Sequence, residues 1–536
     1  MAPTHDVVNQ VPPLVDYDAL AVDAALAGGL VRLGGEGVLG SLGALGRRVG
    51  DQQVQRWATE ANGYPPVLRT HDRYGNRIDE VDYHPSWHRL MALSIGEGLH
   101  AAPWASGEPH AHLRRAAGFF LTSQAEAGHG CPISMTYAVL PALRHNPALT
   151  RQFEPGLTST RYDPGLRDPA GKAGLVAGMA MTEKQGGSDV RANTTRAEPA
   201  GDGAWRLTGH KWFCSAPMSD LFLVLAQVPG AGLSCFCVPR VLPGGGRNAF
   251  ALQRLKDKLG NRSNASSEVE FDGTLGWPVG EPGQGVKTIL EMVTMTRLDC
   301  VIGSAAGQRA ALVQAVHHAR HRRVFGALLI DQPVMRAVLA DLQLEVEAAT
   351  ALMLRLAAAV DTGERAFLRL AVAASKFWVC KRSGVVVGEA LECLGGNGYV
   401  EESGLPRLFR ESPLNSIWEG SGNVIALDVL RAVGRDGEAI AAVDAELASA
   451  AGSDPRFDAG VARCRELVRR PDVQQARELA RLLAVLLQAA QLIRFAPAPV
   501  ADLFCATRLG APAPVLGALP AGALPRLDAV LARALP

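Results

Sequence analysis

Within the 536-residue sequence, the stretch NSIWEGSGN (415–423) sets one carboxylate, Glu419, behind the apolar pair Ile417–Trp418 and ahead of Gly420, Ser421 and Gly422. An acid in a glycine-rich loop is commonly a solvated turn residue. An acid held against bulky apolar groups has a raised pKa instead, which suits a general base acting on a weak carbon acid. On these residues alone both readings stand.

Three further stretches could bind a ligand. MTEKQGGSDV (181–190) offers main-chain N–H groups at its paired glycines and the hydroxyls of Thr182 and Ser188. That set suits a planar polar ring or a phosphate, and it serves equally as a plain connection. It matches neither the P-loop nor the GxGxxG pattern, so nothing in it supports ATP or Rossmann-type binding. HHARHRRVFG (317–326) is a basic helix end: either a solvated face, or an arginine for a pyrophosphate with Phe325 for an adenine. LGGNGY (394–399) allows close backbone approach to a ligand, or caps a helix.

The elements that must carry these stretches separate by texture into four regions. Residues 1–175 mix helical apolar spacing with loops. Over 176–286 short β-like runs appear (WRLTGHKWFC, LFLVLAQV, LSCFCVP, SEVEFDG), broken by Gly, Pro and Asp clusters, which predicts a compact β domain. Helical periodicity returns over 287–435. There Val301, Ile302, Ala305, Leu312, Val313 and Val316 share a face, and the helix is expected to stop in a basic run before Gly326. Residues 436–536 are rich in Ala, Leu and Arg, with a helical stretch at 459–494.

Composition narrows the class. The net charge of +1 excludes a globally basic nucleic-acid binder and leaves only a local patch. Nine cysteines contain no CxxC pair, and Cys235–Phe236–Cys237 is too tight for metal-ligand spacing, so no metal is expected. The N-terminus lacks a signal-peptide pattern, and LARLLAVLLQAAQLI (479–493) is short for a membrane span and carries Arg481, Gln488 and Gln491. A cytoplasmic protein with reduced thiols and no membrane partner is expected.

In order and content, the four stretches together resemble the acyl-CoA dehydrogenase flavoproteins. TEKQGGSDV stands for the family's TExxxGSD, and Phe213–Cys214–Ser215 for its Trp-Ile-Thr. RRVFG, LGGNG and IWEGSGN stand for its Arg-x-x-Phe-Gly, Gly-Gly-x-Gly and Ile-Tyr-Glu-Gly-Thr elements. GMAMTEKQGGSDVRANTTRAE, RLKDKLGNRSNASSEVEF and the C-terminal extension look like the alkylation-inducible AidB branch. The resemblance implies an α+β, mainly α fold. Its parts would be an N-terminal helical domain (1–175), a β-barrel-like domain (176–286), a four-helix bundle (287–435) and an extra helical domain (436–536). It also implies FAD and a homotetramer.

Residue by residue, the resemblance implies that Met181, Thr182, Gly187, Ser188, Phe213, Cys214 and Ser215 line the flavin ring. Arg322 and Phe325 would meet the pyrophosphate and adenine from an adjoining subunit. Gly395, Gly396, Ile417, Trp418, Ser421, Gly422 and Asn423 would hold the rest. Glu419 matches the catalytic base that takes the α-proton of an acyl thioester, and Arg431 the family's arginine near the site. Some members place the base on the earlier helix, where this sequence has Thr296 before Arg297.

Departures from the family pattern are Trp418, expected to narrow the acyl channel, and Lys184–Gln185 in place of Pro-Gly. The AidB resemblance adds double-stranded DNA binding, in protection against or repair of alkylation damage. Residues 456–494 carry eight arginines against four acids, a local excess of +4. Arg463, Arg470, Arg477 and Arg481 are spaced for one helical face, broken or kinked where Pro471 intervenes. Phosphate-directed arginines would bind without sequence readout; the alternative is a solvated helix with internal ion pairs.

Overall fold

The computed structural model describes residues 3–510 and 513–534, apart from the side chain of Leu524. In chain order the N-terminal helices are α1 (Ala24–Ser41), α2 (Gly43–Gly50), α3 (Gln52–Gly63), α4 (Pro85–Gly96), α5 (Ala111–Ala125), α6 (Gly130–Leu143) and α7 (Pro147–Leu157). A hairpin, β1 (Val67–His71) with β2 (Arg77–Asp82), interrupts them. Strands β3 (Ala177–Ala180), β4 (Arg196–Gly201), β5 (Ala204–Ser215), β6 (Leu221–Val228), β7 (Gly232–Pro239), β8 (Phe250–Leu255) and β9 (Ser266–Val279) follow. Next come α8 (Gly285–His321), the two-residue strands β10 (Arg323–Val324) and β11 (Ala327–Leu328), α9 (Pro333–Asp361), α10 (Arg365–Glu392), α11 (Leu405–Glu411) and α12 (Gly422–Arg435). The extension adds α13 (Gly437–Ala448), α14 (Pro455–Arg469), α15 (Ala476–Phe495), α16 (Ala498–Cys505) and α17 (Leu527–Leu531). The class is α+β, mainly α, as expected.

Two compact units contain these elements: Arg56–Ala111 with Glu126–Asp299, and Met1–Gln55 with His112–Ala125 and Cys300–Pro536. In the first, β6, β4, β5, β9 and β7 pair in that order, and a β6–β7 ladder closes the ring into a barrel. Strand β3 lies parallel on β6, and β8 pairs with β9. The run LFLVLAQV forms β6 because its β-branched and leucine side chains are buried on both faces. Along β5 the register with β9 runs from Trp205↔Gly276 to Ser215↔Ser266.

The second unit is a helical bundle. Val301, Ile302, Ala305, Leu312, Val313 and Val316 are all buried on α8, as their spacing requires. The helix stops within the expected basic run, at His321, but Gly326 does not cap it. Phe325 and Gly326, at φ 51 and 85, form the turn of the β10–β11 hairpin instead. Two consecutive left-handed residues suit a tight hairpin, and that geometry captured the glycine that looked like a helix stop.

Helix α10 packs against α9, α12, α13 and α15. The run that looked superficially like a membrane span is α15, buried on every side from Leu482 to Leu492. A helix that is apolar all round belongs inside a protein. Among the described residues no helix is long and apolar enough to cross a membrane. The extension is thus part of the bundle core. Its last segments are tied to α9 by buried ion pairs: Arg508 to Asp341 (2.5 Å) and Glu345 (2.6 Å), and Arg533 to Glu347 (2.5 Å).

Candidate active site

The barrel unit carries one group of the expected residues. Trp212 N–H on β5 donates to Thr182 O at 2.8 Å, which sets the 181–190 loop beside the end of that strand. The loop is stapled from below by Glu183. Its Oε1 accepts from Lys211 Nζ (2.8 Å) and Thr195 N–H (3.1 Å). Its Oε2 accepts from Thr194 N–H (2.7 Å), Thr194 Oγ1 (3.0 Å) and Gln185 Nε2 (2.7 Å). Burial alone would raise the Glu183 carboxyl, but the Lys211 ammonium and these hydrogen bonds outweigh it and hold the group at about 2. Gly187 packs so closely on Thr182 that a Cβ there would lie 2.8 Å from its Oγ1.

Strand alternation sorts the 213–215 triplet. Phe213 is 52% exposed and Ser215 half-buried, whereas Cys214 points into the barrel, its thiol pushed up to about 12 by burial. Cys214 can therefore line a ligand site only through its backbone. Met181, Thr182, Phe213 and Ser215 share one region, with Gly187 and Ser188 exposed beside it. Hydroxyls, main-chain N–H groups and a half-exposed phenyl ring fit a planar polar ring such as a flavin.

The helical unit carries a second group of the expected residues. Glu419 is half-buried and sits at φ 57, followed by Gly420 at φ 99. A left-handed residue bearing a side chain costs roughly 1–2 kcal/mol, so the loop must be braced from outside. Trp418 Nε1 donates to Asn415 Oδ1 (2.8 Å), and Asn415 Nδ2 donates to Ser304 Oγ on α8 (3.1 Å). Lys376 on α10 donates to Trp418 O at 2.8 Å and to Gly420 O. Arg477, on α15, donates to Asn423 Oδ1 at 2.6 Å.

Helix α12 begins with this loop. Its N-cap, Ser421, makes no side-chain capping bond, and a Cβ at Gly422 would lie 2.6 Å from Lys381 Cε and 3.7 Å from Arg477 Nη1. An uncapped helix start beside two cations fits a phosphate. Gly395 and Gly396 are exposed, with open space where side chains would stand, while Gly398 packs under the Leu391 carbonyl.

Two expected groups lie apart from the loop. Arg322 and the 99% exposed Phe325 are at the far end of α8. Ser304, bonded to the loop, is eighteen residues earlier on that helix, about 27 Å at 1.5 Å per residue. Arg322 and Phe325 therefore cannot serve the loop of their own unit, and Arg322 Nη1 instead donates to Asn9 O at 2.5 Å. Arg431 is on α12, about 13 Å along the axis from Gly422. Its guanidinium is 59% exposed and 3.9 Å from Asp428.

The four expected DNA-binding arginines are not on one helix. The chain breaks at Arg470–Pro471, so Arg463 lies midway along α14 and Arg470 is its C-cap, while Arg477 and Arg481 are at the start of α15. Acids from outside 456–494 also offset the counted excess: Arg456 pairs with Asp454 and Asp502, Arg465 with Asp444, and Arg494 with Glu446. Glu478 pairs with Arg481 at 2.7 Å and approaches Arg463 at 4.0 Å. Among the described residues, no carboxylate lies within 4 Å of Arg469, Arg470 or Arg477.

A further constellation has the distances of a nucleophile relay. Ser94 Oγ is 2.9 Å from His129 Nε2, and His129 Nδ1 is 2.8 Å from Glu126 Oε2. All three side chains are buried, and Asn62 and Ser263 occupy Glu126 Oε1. No substrate reaches Ser94, so this network holds the fold.

Comparison with known proteins settles the family. Residues 9–164 match the adaptive response protein AidB N-terminal domain, 178–274 the acyl-CoA dehydrogenase middle domain, and 283–434 the acyl-CoA dehydrogenase C-terminal domain. The chain is 46% identical over 512 residues to the putative acyl-CoA dehydrogenase AidB of Escherichia coli (strain K12), covering 94% of each protein. It belongs to the AidB branch of the acyl-CoA dehydrogenase family. As a member it is an FAD-dependent oxidoreductase acting on CH–CH groups. The acyl-CoA dehydrogenase family member 11 of Caenorhabditis elegans is 31% identical over 74% of this chain and 66% of its own. The structure of Caenorhabditis elegans ACDH-11 in complex with C11-CoA superposes with a TM-score of 0.85 at 25% identity, covering 95% of this chain and 94% of that one.

Sequence reasoning missed Lys376, Glu183 and Asn415. A signal existed for Lys376, a lone charge within the apolar run LAVAASKFWVC (370–380). Nothing local reveals which peptides it holds.

Proposed function

We propose that Glu419 is the general base of an acyl-CoA dehydrogenase reaction, with an acyl thioester as substrate. Its carboxylate accepts the α-proton of the thioester. Bound FAD supplies the acceptor for the β-hydride. Met181, Thr182, Gly187, Ser188, Phe213 and Ser215, with the Cys214 backbone, hold the ring. Gly395, Gly396, Ile417, Trp418, Ser421, Gly422 and Asn423 hold the rest of the cofactor, and Arg322 and Phe325 serve a neighbouring copy in a homotetramer.

The observation that carries this reading is the braced left-handed backbone at Glu419, which fixes the carboxylate at a defined place. A positioned base contributes about 10²–10⁴-fold. Glu419→Gln keeps the shape and removes the proton acceptor, so flavin reduction by acyl-CoA should fall by that factor with FAD retained. Undiminished reduction defeats the assignment.

A second reading joins the first. The exposed Arg463, Arg469 and Arg470 of α14 favour binding of duplex DNA through phosphates, in protection against or repair of alkylation damage. The ring of ion pairs around the other arginines makes this a local patch. Duplex binding that is insensitive to salt would contradict it.

A further inference from the structure

Lys376 is 1% exposed in the middle of α10, flanked by Ser375 and Phe377 in an apolar run. Its Nζ donates to Trp418 O at 2.8 Å and to Gly420 O. Those are the carbonyls on either side of Glu419 in the loop. Glu419 and Gly420 both have left-handed backbones, at φ 57 and 99. A residue with a side chain stays in that region only where its surroundings over-determine it. A buried ammonium in turn needs acceptors fixed in place, because it has no water to replace them. Lysine and loop therefore hold each other.

We infer that Lys376 is the positioning residue of Glu419: its buried ammonium clamps the peptides on both sides and holds the left-handed turn from which the carboxylate extends. The inference rests on reading Glu419 as the proton-accepting base. Lys376 touches main-chain carbonyls and no reacting atom, so it acts through Glu419. The clamp fixes where the carboxylate stands. Loss of the clamp should slow proton removal more than it weakens thioester binding, since a displacement near 1 Å costs about 100-fold in rate.

The test uses the full-length FAD-loaded protein with Lys376→Met, Lys376→Gln and Lys376→Arg, and Glu419→Gln as reference. Flavin reduction is followed by anaerobic stopped flow over a range of C11-CoA concentrations. In Lys376→Met the limiting rate should fall about 100-fold while apparent thioester affinity and FAD content stay near wild type. The limiting rate should fall likewise in Lys376→Gln and recover in part in Lys376→Arg, which keeps a charged donor. A purely structural lysine would lower FAD content or melting temperature with no selective loss of the limiting rate. If Lys376→Met fails to fold, the Gln and Arg variants decide. A wild-type limiting rate in either neutral variant, with Glu419→Gln inactive, overturns the inference. An active Glu419→Gln overturns the reading beneath it.

Discussion

Lys211 Nζ lies 2.8 Å from Glu183 Oε1, and both side chains are closed to solvent inside the barrel unit. The pair does more than satisfy itself. Glu183 spends its remaining acceptor capacity on Gln185, Thr194 and Thr195, and Lys211 also donates to Leu225 O at 2.8 Å. The 181–190 loop is thereby anchored to β5 and β6. Removing one partner of a buried pair strands the other charge, at a cost of about 3–5 kcal/mol. Lys211→Met should lower the urea midpoint accordingly and speed FAD loss, read as fluorescence of released flavin. A variant with wild-type midpoint and flavin retention would show that the pair is not the anchor.

Acid sensitivity follows from two carboxylates in that unit. Glu126 is buried, which would raise it, yet the hydrogen bond and charge of His129 bring it to about 2; Glu183 is likewise held at about 2. Both folded values are depressed below the ordinary 4.5. Their contribution is therefore full above pH 4.5, shrinks as pH falls, and is lost through about 2. Stability plotted against pH should rise between those limits, and Glu126→Gln and Glu183→Gln should each flatten the rise. Denaturant melts at successive pH values check it.

Trp418 should set acyl-chain preference. Its indole is pinned by Asn415 at 2.8 Å, so it cannot swing aside easily. Trp418→Ala should raise kcat/KM for longer acyl-CoA substrates relative to shorter ones. A chain-length profile parallel to wild type would remove the narrowed-channel idea.

Duplex DNA binding, if carried by the C-terminal arginines, should weaken in Arg463→Ala/Arg470→Ala/Arg477→Ala/Arg481→Ala for all sequences alike. Each phosphate left without its arginine should flatten the slope of log affinity against log salt by about 0.9. Arg481 is already committed to Glu478, so Arg470→Ala alone should account for more of the change than Arg481→Ala. Titrations at several salt concentrations check both statements.

Arg508 should be indispensable to the bundle. It bonds Asp341 at 2.5 Å and Glu345 at 2.6 Å, all three being nearly or fully buried. Arg382 also reaches Glu345, at 2.9 Å, so Asp341 is the acid left stranded by Arg508→Met. A loss of about 3–5 kcal/mol is expected in thermal or urea melts.

What the sequence makes legible is whatever is local. Periodicity places the buried face of α8 and the doubly buried strand β6, and the motif around Glu419 marks the carboxylate. The bracing is illegible because its partners are far apart in sequence: Lys376 is 42 residues before Trp418, and Arg477 is 54 after Asn423. The same distance hides Asp444, Glu446 and Asp502, so counting charge within a window overstates the free arginines. Gly326 misleads because a glycine after a basic run fits a helix end and a hairpin turn equally well.

Helix α1 packs on α9, and its neighbour Asp23 meets Arg309 at 3.3 Å in a buried pair. Helix α1 thus has partners that leave the ribosome some three hundred residues after it. At about 5–20 residues per second, that delay is roughly 15–60 s. During it Leu26 and Leu30, buried in the finished bundle, lack that partner helix. A truncation before α9 would leave α1 without it.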